Sequence, residues 1–280
     1  MTGDLIREGE LVFVIVESGE RRRQHLIRAE QGLVYSTIAG VIEGSDIIGR
    51  SWGDVLELQA GRAYLLPPTR YELSMYAFKR LGQVIYPKDQ GYIAVISGIR
   101  EGMRVLEAGV GSGFLTAVLA SIVGCKGKVI GYDVREDMLE TARRNLELVG
   151  LLGRVDLRLG DIRKGVPDSD LDAVFLDMPD PWEALRTLHG NLKPGAPAVV
   201  FVPTFNQLEK LYENVVRTGM YVIEETVEIL RREIEVKPGA IRPFTQMVGH
   251  TGYIVLLRRL RAASRGRASP TQSSVGRPMA

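Results

Sequence analysis

Residues 105–113 read V-L-E-A-G-V-G-S-G: an apolar run that meets an acid, Glu107, then three glycines in five positions, ahead of the helical-looking stretch 114–123. A strand, a tight loop and a helix in that order make a turn that binds a nucleoside cofactor. Residues without a Cβ let the backbone come close to the ligand and take left-handed angles. Gly109, Gly111 and Gly113 are the candidates for the turn, with Ser112, Phe114 and Leu115 beside them. No G-K-[S/T] is present, so this is not a P-loop. Glu107 stands where a pyrophosphate site needs neutral backbone; a carboxylate there repels phosphate and attracts a cation. Asp133 closes the next apolar strand, 20 residues after Gly113, at the spacing of an acid that grips a ribose. Asp161 ends the strand-like stretch 155–160, where it could meet an adenine amino group. Each acid also has a plainer reading, Asp133 as a helix cap and Asp161 as a turn residue. As an ordered set at three successive strand ends, the acids favour S-adenosylmethionine, cationic and free of phosphate, over NAD.

A second group lies in F-L-D-M-P-D-P-W-E-A-L, residues 175–185. Asp177 ends the fourth strand at the same edge as the cofactor acids and could face the transferred methyl group. Pro179 and Pro181 stiffen the loop, and Trp182 is either a stacking plane for a base or a core anchor. The three histidines, His25, His189 and His250, and the single cysteine, Cys125, show no metal-ligand spacing, so no metal is expected.

These residues need a scaffold that brings strand ends together. Apolar strands alternate with helical stretches from about residue 89 onward, with strands expected at 128–133, 155–160, 171–177, 198–202, 222–236 and 253–257, and helices at 89–97, 114–123, 136–144 and 206–218. That pattern specifies an α/β domain over residues 69–260. The front of the chain has a different grammar, with short β-branched or alternating runs at 11–16, 24–28, 33–37 and 55–58 that mark a small β-rich domain over residues 1–68. A linker helix is expected at 70–81.

At 280 residues the chain can bury two cores. No apolar run is long enough to span a membrane, residues 1–10 lack the regions of a signal peptide, and one cysteine suits a reducing cytoplasm. The net charge of +2 conceals an asymmetry: six arginines and no acid lie in 257–280, leaving −4 on residues 1–256. Residues 261–280, rich in Ser, Gly and Pro, read as a disordered basic tail, either a weak tether for a polyanion or a solubilising extension.

Two further motifs, Q-V-I-Y-P-K-D at 83–89 and R-P-F-T-Q-M-V-G-H-T-G-Y at 242–253, complete a set of four. In this order, over about residues 1–260, they resemble the tRNA adenine-N1 methyltransferases of archaea and bacteria, which modify a T-loop adenosine. The resemblance implies a class I, Rossmann-like methyltransferase with a seven-stranded sheet whose last strand is antiparallel, S-adenosylmethionine as donor, tRNA as substrate and a homotetramer. It also implies Asp177 and Tyr86 as catalytic residues and His250 and Thr251 as residues lining the acceptor cleft. Two rivals stay in view. One is a carboxyl methyltransferase acting on damaged aspartates, which shares the glycine-rich loop but needs no β-rich front domain; the other is a non-catalytic RNA-binding partner subunit, in which that loop should be degraded.

Overall fold

The computed structural model describes residues 4–237 and 239–261, so the basic tail, Arg261 apart, lies outside the described residues. The N-terminal region holds β1 (Leu11–Ser18), β2 (Arg21–Arg28), β3 (Val34–Thr37), β4 (Gly40–Glu43), β5 (Val55–Leu58) and β6 (Gly61–Leu66). They form a four-stranded antiparallel sheet, β2-β1-β6-β5, and a separate β3–β4 hairpin. Alternation along β1 explains its two faces: Val12, Val14 and Val16 are fully buried with Ile42, Ala63 and Leu65, while Phe13 looks the other way, its ring 6.0 Å from that of Tyr76. The Tyr76 hydroxyl donates to Gln24 Oε1 at 2.9 Å, fixing the small sheet to the linker.

The linker is not the continuous helix expected at 70–81. Thr69 caps a single turn, Arg70–Glu72, which widens into a π turn at Leu73–Ala77 and stops where Phe78 leaves to pack edge-on against Phe114 at 5.2 Å. Burying Phe78 outweighs prolonging a helix that has little apolar face of its own.

Seven strands make the main sheet: β7 (Arg104–Ala108), β8 (Lys128–Asp133), β9 (Val155–Leu159), β10 (Ala173–Leu176), β11 (Pro197–Val202), β12 (Tyr221–Val227) and β15 (Tyr253–Arg259), in the order β12-β15-β11-β10-β7-β8-β9. The five from β7 to β11 are parallel, and β15 runs antiparallel between β11 and β12. Helices cover both faces, which is why β10 and β11 are buried at every position. On one face lie α1 (Pro87–Ile96) and α2 (Phe114–Val123), joined by Leu146 of α3 (Glu136–Leu148); on the other lie α4 (Pro181–Leu188) and α5 (Phe205–Thr218). The strand expected over 222–236 is two elements. β12 ends at Val227, and β13 (Ile234–Lys237) pairs with β14 (Ala240–Pro243) as a hairpin outside the main sheet, because the sequence turns back at Gly239, whose φ is +73°.

Candidate active site

The two-residue period of a strand decides where the acids point. Val105 of β7, Val129 of β8 and Phe175 of β10 belong to the core under α1 and α2. Glu107, Asp133 and Asp177 follow them by even numbers of residues and so share that face, at the carboxyl end of the sheet. Gly109 draws two strand ends together: its φ is +82°, and a Cβ there would lie 1.8 Å from the Asp177 carbonyl oxygen. Around Gly111, by contrast, a Cβ would meet nothing within 4 Å, leaving room above the loop tip.

Glu107 is 2 % exposed, and its Oε2 has no hydrogen-bond partner; the buried Thr116 hydroxyl at the start of α2 lies beside the carboxyl and works against its rise in pKa. Burial pushes the Glu107 carboxyl up to about 8, with the charges of Asp177 and Asp133 adding to the rise. Asp177 is half-buried, and burial followed by the Asp133 charge pushes it up to about 6. No salt bridge reaches Glu107, Asp133 or Asp177 among the described residues, and along this one edge the charge of Asp133 raises both of the other carboxyls. Asp133 Oδ2 accepts the Gly111 N–H and its Oδ1 the Arg135 N–H, both at 2.9 Å, which fixes the loop and leaves each oxygen further accepting capacity. Asp161 lies at the end of β9 and caps a short turn. The Arg163 guanidinium, bonded to both its oxygens, holds the carboxyl below the usual range.

Other donor-loop residues act through backbone. Phe114 and Leu115 are buried in the core, so only their amides, in the first turn of α2, face the loop. Ser112 is spent inside the protein: its hydroxyl accepts the Leu81 N–H at 3.1 Å, while Asn145 of α3 donates to its carbonyl at 2.8 Å and clasps both the N–H and carbonyl of Lys79. Segment 79–81 is thereby held against the glycine-rich loop.

A cleft of about 750 Å³ is lined by Tyr71, Met75, Tyr86, Lys88, Met247 and Thr251 among others. Tyr86 is set on its wall as the N-cap of α1, with Pro87 fixing the first turn. Asp177, Trp182 and His250 do not line it. Trp182, in α4, is partly buried against the core that α5 shares, with Lys210 Nζ 5.9 Å from its ring, the arrangement of the core-anchor alternative. His250 bonds Glu228 Oε1 through Nδ1 at 2.6 Å and the Pro203 carbonyl through Nε2 at 2.7 Å, so both ring nitrogens are occupied, and the Glu228 carboxylate raises its pKa. Thr251 borders the cleft, yet its hydroxyl donates to Asp89 Oδ2 at 2.9 Å and accepts from Lys88 Nζ at 2.6 Å. His250 therefore ties the chain beside the cleft wall to Glu228 and Pro203, and Thr251 helps hold that wall through Asp89 and Lys88.

The last contact belongs to a buried network that sequence reading missed. Lys88 Nζ also bonds Asp89 Oδ1 at 2.8 Å and the Ile229 carbonyl at 2.7 Å, and Asp89 is fully buried. Lys88, Asp89 and Thr251 thus tie the helix start that carries Tyr86 to the chain before and after the β13–β14 hairpin. The only signal in the sequence was K-D directly after Y-P. Among the described residues, no group of three or more His, Cys, Asp or Glu could hold a metal ion, and no helix is long and apolar enough to cross a membrane.

With this geometry in hand, comparison with known proteins is specific. Residues 61–241 match the family model described as tRNA methyltransferase complex GCD14 subunit. A tRNA (adenine(57)-N(1)/adenine(58)-N(1))-methyltransferase of Methanocaldococcus jannaschii is 34% identical over 85% of this chain and 92% of its own length. Two crystal structures share the fold: a tRNA (m1A58) methyltransferase from Aquifex aeolicus, at TM-score 0.81 and 32% identity over 92% of this chain and all of the other, and a SAM-dependent O-methyltransferase from Thermotoga maritima, at TM-score 0.85 and 30% identity over 95% and 98%.

Proposed function

This chain belongs to the tRNA methyltransferase complex GCD14 subunit family, and from that premise we propose that it transfers a methyl group from S-adenosylmethionine to N1 of a T-loop adenosine in tRNA. The observation that carries the reading is the trio Glu107, Asp133 and Asp177 on one face of one sheet edge, with no salt bridge to any of them among the described residues. Such a site fits a cationic donor and repels a pyrophosphate. The unpartnered Glu107 Oε2 would take the donor's ammonium, the amides at the start of α2 its carboxylate, Asp133 its ribose hydroxyls and Asp161 its adenine amine. The donor, when bound, supplies an electrophilic methyl on a sulfonium.

Adenine N1 already carries a lone pair in the neutral base, so the protein's task is to position it. An ionised Asp177 would accept a hydrogen bond from the exocyclic amine and favour the positive charge that grows on the ring, a contact that strengthens toward the transition state. Tyr86, on the cleft wall, would orient the extruded base, and Lys88, Asp89 and Thr251 would hold Tyr86 in place. Removing a T-loop adenosine from its stack costs on the order of a few kcal/mol, which contacts to the RNA backbone must offset.

The β13–β14 hairpin leaves Ile234, Val236 and Ile241 at 51%, 72% and 73% exposed, and we assign this apolar arm to subunit contacts within a homotetramer. The protein would then work in the cytoplasm, with its RNA. The O-methyltransferase reading, raised by the Thermotoga maritima likeness, and a carboxyl methyltransferase reading are met by the same test. Recombinant protein is incubated with labelled donor and either tRNA or isoaspartyl peptide, and the RNA is then digested to nucleosides for mass and retention analysis. 1-Methyladenosine is the expected product; label only in peptide, or on a ribose oxygen, overturns the proposal.

A further inference from the structure

The small N-terminal sheet has a cavity of about 190 Å³ between β2 and the β3–β4 hairpin, remote in sequence from every residue assigned above. Its floor is Val14 and Ile42, both fully buried, and its mouth lies at the exposed residues Val34 and Ser36. One wall is the ring of Tyr35, whose hydroxyl accepts the Arg28 N–H at 3.0 Å and donates to the Arg28 carbonyl at 2.9 Å, pinning the ring across to β2. Facing into this space, whose lining also includes Ser36 and Thr37, is His25, whose Nε2 is buried and has no hydrogen-bond partner. A buried polar nitrogen left unpaired is costly, so its presence asks for a partner from outside.

The strand that supplies His25 also carries charge. Arg21, Arg23 and His25 alternate onto one face of edge strand β2, about 7 Å apart, and among the described residues no carboxylate lies within salt-bridge distance of either arginine. An apolar cavity of about 150 Å³ holds a benzene ring, so this one has room for a single heteroaromatic ring that can bond an imidazole. We propose that the cavity is an RNA subsite that takes one unstacked pyrimidine base, with Tyr35 as its stacking face, His25 Nε2 on its polar edge, and Arg21 and Arg23 on the flanking phosphates. The opposite face of the same sheet is fixed to the linker by Phe13, Gln24 and Tyr76, and the linker supplies Tyr71 and Met75 to the cleft, so the subsite would hold RNA in register with the target base. This inference rests on the proposed RNA substrate, but its test does not need methyl transfer.

The experiment measures binding of fluorescent hexauridylate, and of its abasic counterpart, to the full chain by anisotropy, alongside steady-state methylation of tRNA transcript. His25→Leu removes the polar nitrogen and keeps the bulk; Ser36→Trp plugs the mouth from an exposed position, and a thermal melt shows each variant folded. Expected are a five- to thirtyfold loss of hexauridylate affinity in both variants, abasic hexamer bound by the wild type no better than hexauridylate by the variants, and a raised KM for tRNA with kcat unchanged. Wild-type affinity in both folded variants, or equal binding of abasic and intact hexamers by the wild type, overturns the subsite. Failure of the wild type to make 1-methyladenosine while hexauridylate binding stays His25-dependent would instead overturn the activity and leave the subsite standing.

Discussion

Glu107→Gln separates a site built for a cation from one that merely has a buried acid. Burial raises the Glu107 carboxyl from 4.5 to about 8, a span worth about 5 kcal/mol at roughly 1.4 kcal/mol per pH unit. Because the folded-state value is raised, the donor-free protein holds a proton between these two pH values that the unfolded chain has lost. Its stability is therefore complete below about pH 4.5 and declines as pH rises to about 8. Glu107→Gln keeps the shape and removes this slope, so the donor-free variant should melt higher than the wild type at pH 8. At pH 7 the wild-type carboxyl is about nine-tenths protonated, and a bound cation that ionises it would release about 0.9 proton, with Asp177, near 6, adding about 0.1.

Calorimetry of S-adenosylmethionine binding in two buffers of different ionisation heat reads that number directly. Proton release should fall to about 0.1 in the variant. Affinity has its own pH signature: a charge-assisted contact worth about 1.5–3 kcal/mol is partly cancelled at pH 7 by about 1.4 kcal/mol spent on deprotonation. Wild-type affinity should thus rise up to tenfold more than the variant's from pH 6 to 7, a window in which the donor's amine stays charged. Equal proton release in the two proteins would refute the assignment of Glu107 to the donor's ammonium.

Four other outcomes follow from the same geometry. Asp177→Ala, or the milder Asp177→Asn, should leave donor affinity nearly intact and lower kcat by about 10²–10³; a near-normal rate in single-turnover assays removes it from the chemistry. Lys88→Met leaves Asp89 buried without its cation and should cost about 3–5 kcal/mol, against about 1–3 for Thr251→Val. Thr251→Val should also reduce kcat for tRNA while donor affinity holds, and unchanged kinetics would make the network structural alone. Placing Glu at both Val236 and Ile241 should shift sedimentation toward smaller species; an unchanged profile frees the arm from assembly. Deleting residues 261–280 should preserve kcat at saturating tRNA and flatten the salt dependence of binding, an identical slope making that segment a bystander.

What was legible in the sequence follows the range of the interactions involved. Strand and helix around the donor loop could be read because hydrophobic runs, glycines and acids are local signals, and the helix over 114–123 and the strand over 128–133 fall where expected. The same local logic put Glu107, Asp133 and Asp177 at strand ends, and strand parity then aims them at one point without any tuning of loops. Among the strands that escaped, β4 and β6 did so because each opens on a glycine, Gly40 or Gly61, that reads as a turn residue.

Side chains that reach across the chain were not legible. Asn145 lies on the α3 helix, and nothing in its neighbours says that it grips Lys79 and Ser112, 66 and 33 residues away. Thr251 carries the sharper lesson. Thr251 borders the cleft, yet a hydroxyl has one proton to give, and here it goes to Asp89 while Lys88 occupies one of its two lone pairs. A residue whose hydrogen-bonding capacity is already taken up within the protein can shape a site but has little left with which to recognise a ligand. Apparent binding residues in such a motif therefore divide into those with free oxygens, Glu107 and Asp177, and those largely committed within the protein, His250 and Thr251. On this criterion, substitutions in the first pair should change what the site binds or how fast it reacts, and substitutions in the second should change how firmly its wall is held.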